Sequence, residues 1–78
     1  MNASDLKLLL EQSRLVAEAN AISRGRQGAS PQEIAAEIVA AVNRWNLSRG
    51  NHDAQLIERY ARGEVDLAEV AKHFKSDP

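Results

Sequence analysis

A run of 21 residues without glycine or proline, from Ser4 to Arg24, constrains the fold more than any other feature of this sequence. Ser4 and Asp5 are typical of a helix start, and Gly25 of a helix end. Placed at about 100° per residue, the apolar side chains of such a helix fall on two opposite faces. We therefore expect helix 1 to require cover on two sides.

The two predicted faces of helix 1 differ in their spacing. One groups Leu6, Leu9, Leu10, Val16, Ala17 and Ala21; the other carries Leu8, Leu15, Ala19 and Ile22. The larger members of the second set recur every seven residues, as in a coiled-coil seam. Two heptads are too few for a free coiled coil, so the pattern favours a homodimer interface inside a larger helical assembly. The alternative is a central helix 1, with helix 2 on one side and the later helices on the other.

A capping box predicts the start of helix 2. Ser30 is the N-cap, Pro31 takes the first helical position and Glu33 reaches back. We expect this helix to run to Leu47, followed by a left-handed cap at Gly50. Trp45 shares a face with Ile34, Ile38 and Ala41, so it is predicted to fill the core at the base of helix 2.

Two shorter helices are predicted in the remaining sequence. Asn51 is expected to cap the third, which runs to about Arg62 and is stopped by Gly63. Asp66 and Glu69 suggest a capping box for the fourth, from Leu67 to about Lys75. The predicted fold is all-α: one domain over residues 1–78, a small bundle of three or four helices. Thirteen alanines, eight leucines and no threonine agree with helix and disfavour strand.

Composition limits the classes of function. A net charge of −1 gives no overall attraction to phosphate or anionic lipid. No cysteine is present, so neither a disulfide framework nor a cysteine zinc site is expected. The apolar run Leu8 to Leu10 is too short for a signal peptide or a membrane span. We expect a cytoplasmic protein.

The segment ERYARGEVDLAEVAKHF resembles the first part of helix-turn-helix domains, with Ala71 as the small residue that lets a second helix cross closely. The resemblance implies DNA binding by a following helix. Only four residues follow Phe74, too few for that helix. If the last two helices were the complete pair, Asp66 and Glu69 would face the bases and repel DNA. A terminal helix packing on the core is therefore the favoured interpretation.

Four arginines could contact phosphate or another anionic partner: Arg24, Arg26, Arg44 and Arg49. If helices 1 and 2 form a hairpin, about 25 Å of helix separates the first two from the last two. A head-to-tail dimer could bring them together.

Catalytic and metal chemistry find little support. His52, Asp53 and His73 lack the spacing of a metal site, so no metal or cofactor is expected, and His73 is interpreted as a favourable charge at a helix C-terminus. No catalytic serine motif or carboxylate pair is recognisable. Trp45 and Tyr60 are the large amphipathic aromatics that could anchor a partner.

By elimination, we predict a non-enzymatic helical adaptor or inhibitor, of the kind found in bacteria, plasmids and phages, that regulates a larger protein by direct binding. Its predicted interface consists of Leu8, Leu15, Ala19, Ile22 and Tyr60. The alternative is a DNA-binding transcriptional regulator or antitoxin-like protein that uses a dimer-assembled arginine patch.

Overall fold

In a computed structural model, the described part of the chain comprises residues 3–48, 50 and 52–74 and contains four helices and no strand. The helices are α1 (Ala3–Ser23), α2 (Pro31–Arg44), α3 (Asp53–Ala61) and α4 (Leu67–Phe74). The all-helical prediction is confirmed, with four helices. The predicted cap Asn51 and the predicted last helical residue Lys75 lie outside the described residues.

The four helices neighbour one another in cyclic order. α1 packs against α2, α2 against α3, α3 against α4, and α4 returns to α1. Side chains from all four form one apolar core, in which the largest fully buried residues are Leu10, Ile38, Ile57 and Val70. The alternative of a central α1 covered on both sides is wrong: α1 contacts α2 and α4 on its inner side, and no described helix crosses its other side.

The start of α2 has the predicted capping box. The Glu33 backbone N–H donates to the Ser30 hydroxyl at 3.2 Å, and the Ser30 N–H donates to the Glu33 carboxylate at 3.1 Å. Pro31 occupies the first turn, where no backbone donor is needed. The Ser30 backbone N–H, followed by the Ser30 hydroxyl and Arg26, holds the pKa of Glu33 below its ordinary value, against a smaller opposing effect of burial.

The end of α2 differs from the prediction. The helix ends at Arg44, and Asn46 adopts the left-handed conformation with φ 57°. The Leu47 N–H donates to the Val42 carbonyl at 2.8 Å, and the Asn46 N–H to Asn43, which together form a Schellman motif. The left-handed residue Asn46, directly after the C-cap, therefore stops the helix before Gly50.

Early termination of α2 also overturns the predicted role of Trp45. This residue is the C-cap, and its side chain is 67% exposed instead of filling the core. Val16, predicted on the inner face of α1, is 48% exposed as well. It lies about 100° round the helix from Ala17, at the margin of the surface that α2 covers.

The exposed apolar face of the first helix as candidate functional site

The most exposed apolar surface on α1 is the side that faces away from the core. Leu8 is 53% exposed, Leu15 67% and Ile22 61%, and Ala19 between them is also exposed. These four residues are called the outer face below. Soluble monomers commonly expose scattered single apolar residues, whereas these four lie on one face of the same helix.

The outer face is regular in its spacing. Its three large side chains are spaced by seven residues, or about two helical turns. From Leu8 to Ile22 the face extends about 21 Å along the axis, at 1.5 Å per residue. This length matches a partner helix of about four turns.

A groove of about 500 Å³ between α1 and α2 lies beside the outer face. Its apolar lining consists of Leu8, Leu9, Val16, Ala41 and Trp45. Because Leu8 belongs to both features, the groove and the outer face are continuous. The buried Ser13 hydroxyl also lines the groove, and it donates to the Leu9 carbonyl at 2.8 Å. An apolar ligand there would leave this hydroxyl satisfied.

Charged side chains border this surface, and most are acidic. Asp5, Glu37 and Arg44 line the groove. On the opposite border, Glu11 and Glu18 lie at helical positions adjacent to Leu8, Leu15 and Ile22. Glu18 accepts a hydrogen bond from the Ala29 N–H at 3.0 Å, and Asn20 donates to Glu37 at 3.4 Å. The border therefore has four acidic side chains, with Arg44 near Trp45 and with Lys7 and Arg14 on the far side of Glu11 and Glu18.

Tyr60 does not belong to this surface. It lies on α3, which does not pack against α1, and its partly buried side chain packs on the core. The sequence grouped it with the outer face because an amphipathic aromatic suits both interface and core. Trp45, which the sequence placed in the core, lies beside the groove instead. The signal that could have identified its exposure is Asn46, a residue that tolerates the left-handed C-cap.

The arginines are distributed between the two ends of α2. Arg24 and Arg26 lie in the loop before it, and Arg44 lies in its last turn, about 20 Å away along 14 helical residues. Arg26 bonds to Glu33. Arg49 lies outside the described residues. Within one chain, Arg24 and Arg26 are close because they are two residues apart in the sequence, and Arg44 lies at the other end of α2.

A second polar cluster joins the loop after α2 to α3 and α4, and sequence reasoning missed it. The Asp53 carboxylate is buried, accepts from the Ser48 hydroxyl at 2.8 Å and bonds to His73 Nε2 at 2.6 Å. The prediction that His73 acts on the helix C-terminus overlooked this partner, because the two residues are 20 positions apart. The cluster attaches α4 to the first turn of α3.

The order of groups in this cluster is not that of a catalytic triad. Asp53 bonds to both Ser48 and His73, whereas an activated serine bonds to the histidine. Among the described residues, no three histidine or acidic side chains converge as metal ligands. In the same residues, no helix is both long enough and apolar enough to cross a bilayer.

Comparison with known proteins finds no matching family model, no matching curated protein and no matching solved structure. The candidate site therefore stands on its geometry: a regularly spaced apolar helix face, an adjoining groove with an exposed tryptophan, and a border in which acidic side chains slightly outnumber basic ones.

Proposed function

We propose that this protein is a small non-enzymatic adaptor or inhibitor that regulates a larger protein by binding it through the outer face of α1. The observation that carries the proposal is the exposure of Leu8, Leu15 and Ile22 on one helix face. The proposed mechanism is occlusion: while α1 is bound, other molecules cannot reach the part of the target protein's surface that α1 covers.

The free energy available from covering the outer face is large for a chain of 78 residues. Fully burying a leucine or isoleucine side chain contributes roughly 1.5–3 kcal/mol relative to leaving it in water. These residues start partly covered, so each would contribute about half of that. Together with Trp45, they would supply a central apolar anchor, which is the part of an interface that dominates binding.

The non-enzymatic part of the proposal is supported by how the polar residues are used. Ser48, Asp53 and His73 connect helices through the buried carboxylate, and half of the residues that line the groove are apolar. Neither arrangement presents a nucleophile and a base to a common reacting atom.

The DNA-binding alternative has weaker support. It requires the arginines at the two ends of α2 to be combined by a second copy, and Arg26 already bonds to Glu33. Asp66 accepts from the Glu69 N–H at 3.1 Å, which places acids at the start of α4. Retention on random duplex DNA that weakens steeply with salt would favour this alternative over the proposed function.

The test is affinity capture from the cells that produce the protein, comparing wild type with Leu15→Asp. A partner retained by wild type should be lost with Leu15→Asp, because a carboxylate in the middle of the outer face must be desolvated on binding. Ala68→Asp is the matched control, since it adds the same charge at an exposed position of α4. Equal capture by all three proteins would contradict the proposal.

A further inference from the structure

We propose that the outer face and the adjoining groove bind an amphipathic helix whose apolar stripe is bordered by lysine or arginine side chains. This inference rests on the proposed function, and it specifies the class of partner. It follows from the shape of the apolar surface and from the sign of the charges around it.

The shape fits one helix lying along α1. The outer face is about 21 Å long, which corresponds to about 14 residues of an opposing helix. Its leucine and isoleucine side chains form a ridge, and the groove of about 500 Å³ beside them can accept the larger side chains of a partner. Trp45 at the edge of the groove adds an aromatic anchor.

The border charges select the sign of the partner. Asp5 and Glu37 lie on the groove side, and Glu11 and Glu18 on the other, against Arg44 near one end. Lys7 and Arg14 lie further round α1, behind the two glutamates. The Lys7–Glu11 ion pair is exposed and long, at 3.9 Å, so it neutralises Glu11 weakly. The four acids exceed the three bases by one, and Glu11 and Glu18 lie nearer the outer face than Lys7 and Arg14 do, so a cationic helix would meet a small excess of complementary charge.

The same charges disfavour a second copy as the occupant. In an antiparallel pair centred on Leu15, Leu8 would oppose Ile22 of the second copy, which suits the apolar contacts. That register also brings Glu11 near Glu18 of the second copy, twice by symmetry. Like charges across an interface oppose association. In this antiparallel register the outer face thus suits a basic partner better than its own copy.

The test uses two synthetic helical peptides of about 18 residues, a length chosen to exceed the face. Both have leucine at the same heptad positions, and one has lysine and the other glutamate at the flanking positions. Trp45 is the single tryptophan of the chain, so its fluorescence reports binding at the groove. The lysine peptide should bind saturably, shift the Trp45 emission to the blue and bind at least about tenfold more tightly than the glutamate peptide.

A matched pair of variants separates docking from general attraction between opposite charges. Leu15→Asp makes the protein more negative but should weaken the lysine peptide about tenfold or more, because it disrupts the apolar contact. Ala68→Asp adds the same charge on α4 and should leave the affinity nearly unchanged. Leu15 is mostly exposed, so the variant should fold, and Ile22→Asp provides a second position on the same face.

Three results would overturn the inference: equal affinity for both peptides, tighter binding of the lysine peptide to Leu15→Asp, or a concentration-dependent dimer in light scattering that Leu15→Asp abolishes. The proposed function is judged separately. If capture from cells depends on Leu15 but the lysine peptide does not bind, only the inferred partner class is wrong. If neither depends on Leu15, both proposals are wrong.

Discussion

The two sides of α1 carry similar apolar side chains in opposite environments. Leu6, Leu10 and Ala17 are at most 3% exposed, whereas Leu8 and Leu15 are more than half exposed. The difference arises from the neighbouring helices: α2 and α4 pack on the inner side, and α3 packs on α2 and α4 without reaching α1. Apolar spacing shows which side chains favour burial, and the number and length of the other helices decide which of them a single chain can cover.

The comparison predicts a large difference between two leucine truncations on the same helix. Leu10→Ala should lower the free energy of unfolding by about 3 kcal/mol, because it leaves a cavity in the core. Leu15→Ala should change it by less than about 0.5 kcal/mol. Urea denaturation followed by circular dichroism measures both. Similar losses would mean that Leu15 is covered within the chain and would remove the distinction between the faces.

The buried Asp53 carboxylate should hold α4 in place, and α4 covers part of the inner side of α1. Asp53→Ala removes the carboxylate that binds Ser48 and His73, and it should cost about 2 kcal/mol, as expected for charged buried hydrogen bonds. Hydrogen exchange should accelerate most in α4. Glu58→Ala, which breaks an exposed ion pair with Arg62 at the C-cap of the same helix, should cost less than about 1 kcal/mol. A loss no larger than the control would show that α4 does not need this attachment.

Much of the fold follows from local signals that can be read one helix at a time. Gly25 and Gly63 have positive φ, as their predicted C-cap roles require, and Ser30 caps α2. The distribution of apolar residues round α1 grouped Leu8, Leu15, Ala19 and Ile22 on one face, but it left open whether the later helices would cover that face. The helix caps depend on contacts within a few residues, so for them the sequence alone contains the necessary information.

The features that were predicted wrongly or missed depend on contacts that a pattern does not specify. Trp45 shares a helical face with Ile38 only if α2 continues, and the cap at Asn46 stops it first. The Asp53–His73 pair requires α3 and α4 to meet, which nothing in the local sequence of either helix indicates. The homodimer remains a prediction.

The capping box at the start of α2 should contribute to stability, because α2 packs on the inner side of α1. Ser30→Ala removes the hydroxyl that accepts from the Glu33 N–H, and it should lower the free energy of unfolding by about 1 kcal/mol. Ser23→Ala at the exposed end of α1 is the control and should have a smaller effect. If both variants match wild type in urea denaturation, the capping box does not contribute to the free energy of unfolding.

The smallest expected effect is a pH dependence in the same capping box. The folded state lowers the pKa of Glu33 from its ordinary value of 4.5, so the carboxylate stabilises the fold above that pH and loses its contribution as pH falls through the lower folded value. Wild type should therefore be more stable than Glu33→Gln at neutral pH, with a difference that shrinks below about pH 4. A difference that grows on acidification would contradict the assigned direction.

The central claim is that something outside the single chain covers the outer face of α1. Photo-leucine incorporated in place of leucine in living cells tests it directly, because the buried and exposed leucines then carry the same reactive group. We expect adducts at Leu6 and Leu10 to join residues of the same chain, and adducts at Leu8 and Leu15 to join a second protein whose mass identifies it as another copy or a different partner. If Leu8 and Leu15 react only with water, the outer face has no binding partner and the central claim is wrong.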